Sequence, residues 1–156
     1  MRSKAPLALM EQLIMVLVFA LAAALCLQAF ALADRMSERN AARDRAVMEC
    51  QSAAEILKAS NGDMAHALTE VANKMNGSGA QGLVQIGYDA DWNRLPPEAS
   101  IDFVYVVELQ GVPTDVEGLW RANIRAAAME DIRVGGSGEP LFQMDVAWQK
   151  EVASRG

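Results

Sequence analysis

The sequence predicts an α+β fold: a long N-terminal helix, a short second helix and a small antiparallel sheet of about four strands packed on the helix. Three observations carry this. Leu13 to Ala33 is apolar at every position except Gln28. From Leu7 to Asn61 there is neither glycine nor proline, and alanine, leucine, methionine, arginine and glutamate dominate, all good helix formers. After "NGSGAQG" the hydrophobic period changes to two, the spacing of strands with one dry and one wet face.

The first helix is expected to run for about 54 residues, roughly 80 Å at 1.5 Å per residue. Pro6 suits its first turn, where a missing N–H costs nothing, and Asn61-Gly62 supplies a stop. The 21 residues from Leu13 to Ala33 are enough to cross a hydrocarbon core of about 30 Å. Asp34 to Arg45 is charged nearly all round, as in a helix with no fixed partner. Beyond it Val47, Cys50, Ala54 and Leu57 recur at three- and four-residue intervals and form an apolar stripe. That stripe is expected to dock on the following domain. The chain thus divides into a cytoplasmic tail and transmembrane helix (1–33), a helical stalk (34–60) and an extracytoplasmic α+β domain (61–156). A second reading stays open: Arg2 and Lys4, the apolar run and "ALA" before Asp34 also make a cleavable signal peptide, which would leave a secreted domain.

The second helix is expected within "GDMAHALTEVANKMNG". Asp63 is its N-cap, Asn76-Gly77 its stop, and Met64, Leu68, Val71, Ala72 and Met75 its buried face. His66, the only histidine, lies off that face and reads as a surface residue. Strands are expected at 83–89, 101–109, 118–129 and 140–150. The inward sets of the last three are Ile101, Phe103, Tyr105, Val107 and Leu109; Trp120, Ala122, Ile124, Ala126 and Ala128; and Phe142, Met144, Val146 and Trp148. Clean alternation means an antiparallel sheet with one solvated face.

Charge limits the partners. The net charge is −6, and from Asn61 onward fourteen acidic side chains face seven basic ones with no Lys/Arg cluster. A nucleic-acid surface needs the opposite balance. No nucleophile elbow, phosphate loop or His/Cys metal set is present, so no enzyme activity, cofactor, metal or small-molecule substrate is expected. "DADWN" (89–93) matches the first half of a calcium loop, but Arg94 stands where the loop glycine belongs and Ser100 where the bidentate glutamate belongs. It reads as a solvated turn with Trp92 packed inward. Cys26 and Cys50 are 24 residues apart on one helix, roughly 36 Å, too far for a disulfide.

A few basic residues, a carboxylate, a membrane helix, an amphipathic continuation and a small antiparallel sheet follow one another. In this order the chain resembles the type IV pilins and the pseudopilins of type II secretion. The resemblance is architectural over the whole chain and rests at motif level on "PLALMEQLIMVLV" (6–18). In that family a glycine precedes the processing point and a glutamate stands fifth after it. With Leu7 first, Glu11 is fifth, and Pro6 replaces the glycine. The resemblance implies a processing point at Pro6 and Leu7, and an assembly role in which Glu11 pairs with the terminal amine of a neighbouring subunit. It also implies a single-pass protein of the cell membrane with a cytoplasmic N-terminus, and pilin-like neighbours or further copies of this chain as partners. Two alternatives remain at this point. Glu11 could sit at headgroup level and favour the helix N-terminus. The whole could be a monomeric tethered binding module.

Overall fold

The computed structural model describes residues 5–60, 63–80, 82–133 and 139–149. The chain divides into two units, Met1–Ala41 and Ala42–Gly156. One helix, α1 (Ala5–Ala59), belongs to both. Its 55 residues agree with the expected length. In the first unit its apolar side chains from Leu9 to Leu32 are exposed. The expected stop at Asn61-Gly62 lies outside the described residues. The observed helix closes at Ser60, whose N–H donates to the Ile56 carbonyl at 3.0 Å and whose hydroxyl donates to the Leu57 carbonyl at 2.8 Å.

The second unit is an antiparallel sheet covered on one face by two helical segments. Its elements are α2 (Met64–Met75), β1 (Ser78–Ala80), β2 (Leu83–Tyr88), β3 (Arg94–Leu95), a 3-10 helix (Pro97–Asp102), β4 (Tyr105–Val112), β5 (Leu119–Ala128), α3 (Met129–Arg133) and β6 (Phe142–Gln149). The strand order is β1-β2-β4-β5-β6, with β3 paired to the end of β2, and all pairings are antiparallel. The sheet therefore has six strands where about four were expected. The two extra ones, of three and two residues, fall in "NGSGAQG" and "NRLPPEAS". They are too short to carry a period-two signal.

The core lies between the sheet and the end of α1. Ala46, Cys50, Ala53, Ala54 and Leu57 pack in one cluster with Ala67, Leu68, Val71 and Met75 of α2 and with the inner residues of β2, β4, β5 and β6. The stripe is centred a little differently from expectation: Ala46 and Ala53 are buried while Val47 is only half-buried. Small side chains line this face of the helix, and the larger Ile86, Leu109, Ile124 and Tyr88 complete the same cluster from the sheet side. In β5 and β6 the inward sets stand as expected, with Trp120 opposite Trp148, Ala122 opposite Val146, Ile124 opposite Met144 and Ala126 opposite Phe142. α2 is capped as expected: the Asp63 carboxylate accepts from the His66 N–H at 2.9 Å, and Asn76 closes the helix at φ 57°.

The strand expected from Ile101 begins only at Tyr105. Pro97 instead opens the 3-10 helix, because its fixed φ and missing N–H suit the first turn of a helix. Ile101 is 81% exposed rather than inward. Phe103 lies on the other face of the sheet, across Gly87, where a Cβ would come within 2.2 Å of its ring. Gly87 is there because the ring occupies that space. Val106 and Ala127, in the same cross-strand row, are buried, so part of the face expected to be wet is covered. The rest is polar: Gln85 donates to Glu108 at 2.8 Å and Asn123 to Asp145 at 2.8 Å.

Candidate functional site

The residues singled out in the sequence fall in the first unit. Pro6 and Leu7 lie in the first turn of α1. Glu11 is exposed on the same helix, two residues before the apolar run. Within the described residues α1 begins at Ala5, and Glu11 follows six residues later. The span Leu9–Ala59 contains a window of mean hydropathy 2.6 with none of its surface buried, so α1 is by length and composition a candidate membrane span.

The second unit holds a polar cluster that sequence reasoning missed. Glu49, on α1, accepts from the Tyr88 hydroxyl at 2.9 Å and from the Arg94 guanidinium at 2.8 Å. Tyr88 is fully buried. Its phenol is pushed upward chiefly by burial and further by the adjacent Glu49 charge, so it stays a proton donor. The Arg94 guanidinium is pushed upward first by its hydrogen bond to Glu49. Trp92 adopts φ 63°, and its ring stacks on Tyr105 at 4.5 Å and leans on Tyr88 at 5.3 Å. One carboxylate on the helix thus ties together the end of β2 and β3. The arrangement is a latch. The one hint in the sequence was Glu49 beside Cys50, at the border of the buried stripe. Which cation would meet it depends on the register of β2 and β3.

The loop itself explains "DADWN". The Asp89 carboxylate accepts from the N–H groups of Asp91 and Asn93 and from the Asn93 side-chain amide, at 2.8 to 2.9 Å. Its pKa is lowered, first by the Asn93 side chain. Its oxygens are therefore spent on closing the turn. Among the described residues no three His, Cys, Asp or Glu side chains gather as a metal site. The Cys50 thiol is pushed up to about 12 by burial and then by Glu49. It is an inert core group rather than a nucleophile.

One groove of about 520 Å³ lies between α2 and the β1–β2 edge, lined by Met64, Leu68, Ala72 and Leu83 with Thr69 and Asn73 at its polar side. The indole N–H groups of Trp120 and Trp148, directly opposite each other, are buried without a hydrogen-bond acceptor. Such groups cost stability. Comparison with protein-family models, with curated proteins and with solved structures gave no match.

Proposed function

We propose that this chain is a pilin-like or pseudopilin-like structural subunit, anchored in the cell membrane by α1, with its N-terminus cytoplasmic and its α+β unit outside. It works by assembly with like chains or with a secretion apparatus, not by catalysis. The observation that carries the reading is the continuity of α1. A single uninterrupted helix begins as an exposed apolar segment and ends as part of the core under the sheet. A simple tether needs no such continuity, since a flexible linker between anchor and domain would serve. The position of Glu11 adds support. A carboxylate at the edge of hydrocarbon is stabilised by a cation, and the terminal amine of a neighbouring chain can supply one.

The test is Glu11→Ala in the full chain. The variant is expected to fold and to stay membrane-bound, because the apolar run is untouched, and to lose in-membrane crosslinking to neighbouring subunits or to assembly components. Unchanged crosslinking removes the assembly role of Glu11. The groove between α2 and the β1–β2 edge favours one second reading, a tethered module that binds an extracytoplasmic partner there. In that case Glu11→Ala would change nothing and substitutions at Leu68 and Leu83 would abolish binding.

A further inference from the structure

Asn76-Gly77 joins α2 to β1, and an asparagine followed by glycine is a reactive pair. The reaction stays within the chain. The Gly77 backbone nitrogen gives up its proton and attacks the Asn76 side-chain carbonyl carbon. A C–N bond forms and ammonia leaves. The resulting succinimide ring takes up water and opens to aspartate or, with the main chain rerouted through the side chain, to isoaspartate. Glycine is the fastest follower because it has no Cβ to hinder the attack. Asn76 is exposed, so water reaches it.

The fold holds this pair in an arrangement that cannot react. Asn76 is left-handed, at φ 57° and ψ 40°. At that ψ the Gly77 nitrogen stands nearly trans to Cβ across the Cα–C bond, turned away from the carbon it would attack. The Gly77 N–H donates to the Ala72 carbonyl at 2.8 Å, and the Asn76 N–H donates to the same oxygen. Bonds of this kind close a helix that ends on a left-handed residue. The attacking nitrogen is therefore aimed away and its proton is engaged. Gly77 is also held firmly against β2. A Cβ on it would stand 2.8 Å from the Gln85 carbonyl oxygen and 2.9 Å from Ile86 Cγ1.

We propose that Asn76 is a deamidation site gated by the C-terminal cap of α2. While the cap is closed the side-chain amide is inert. When the last turn of α2 opens, ψ is free to turn, the Gly77 N–H is released and ammonia is lost. The step runs one way. Isoaspartate adds a methylene to the main chain, so the two bonds to the Ala72 carbonyl no longer close in register. Either product adds a negative charge. Gly77 lines the groove between α2 and the β1–β2 edge, so the new carboxylate stands beside that groove. A chain that has opened at this corner is permanently marked.

The experiment is timed peptide mass spectrometry on the full chain in detergent micelles at mildly alkaline pH, with folding followed by tryptophan fluorescence. In urea that unfolds the second unit, Asn76 should convert as fast as Asn61, the first residue of the other Asn-Gly pair. In the folded chain it should convert at least about tenfold more slowly, because the rate is scaled by the fraction of time the cap is open. Ala72→Gly keeps the accepting carbonyl but loosens the last turn, and should raise the folded-state rate about fivefold. Equal rates in the folded chain and in urea, no conversion in urea, or a folded-state rate indifferent to Ala72→Gly each overturn the proposal. The isoaspartate form, resolved by chromatography, should exchange its Gly77 amide hydrogen faster than the unconverted chain does. Equal exchange overturns the permanent loss of the cap.

Discussion

Leu57→Ala tests whether the end of α1 is core or surface. Leu57 is fully buried in the cluster that joins α1, α2 and the sheet. Truncating a buried leucine removes its transfer free energy and leaves a cavity, about 2–5 kcal/mol together. Its helix neighbours Ala53 and Ala54 are too small to lean into the gap, so the upper part of the range applies, about 4 kcal/mol. For a unit of this size each kcal/mol moves the melting temperature by about 3–5 °C, giving a drop of roughly 12–20 °C. The comparison is Gln51→Ala, on the exposed side of the same helix, where a change within about 0.5 kcal/mol is expected. The assay is thermal unfolding by circular dichroism on a fragment beginning at Ala42, which contains the stripe and the whole sheet. Equal, small shifts for the two variants would refute the docking of α1.

Three further outcomes follow from the second unit. Tyr88→Phe should cost about 1.5–3 kcal/mol, the range for a hydrogen bond to a charged group. A double-mutant cycle with Glu49→Gln should show coupling, and strictly additive effects would dissolve the latch. Gly87→Ala should destabilise by about 1–3 kcal/mol, because the new methyl collides with the Phe103 ring; adding Phe103→Leu should recover part of the loss in the same urea titration. The folded Asp89 carboxyl titrates below its ordinary value of 3.8, held down first by the Asn93 amide. Its stabilisation is therefore complete above that value and is lost as pH falls through the lower folded value. Carboxyl-carbon NMR should show the depressed midpoint, and Asp89→Ala should flatten the acid limb of the stability curve.

Much of this fold is written in patterns that one strand or one helix can carry alone. The 55-residue helix follows from composition and the absence of breakers. The buried faces of α2, β5 and β6 follow from period. What escaped depends on pairs of distant residues. The strand expected at 101 was displaced by the 3-10 helix that Pro97 opens, a turn that outweighed an alternation that continued in the letters. β1 and β3 exist only because β2 offers them an edge. Gly87 reads as a weak point in a strand until Phe103 is placed over it. The latch was illegible for the same reason: Glu49 and Arg94 are 45 residues apart, and only the register of β2 with β3 brings them together. Glu11, Pro6 and Leu7, by contrast, were singled out through the resemblance of one short segment, 6–18, which lies on a single helix.

The central claim is that α1 is one element that both anchors the chain and completes the core. N-terminal sequencing of the native protein, recovered from membranes after a carbonate wash, tests it most directly. The account predicts a membrane-retained chain that still carries the residues before Asp34, beginning at or ahead of Leu7. A soluble protein whose first residue is Asp34 would contradict it, because the apolar run would then be a signal peptide and α1 would never reach its full length in the mature protein.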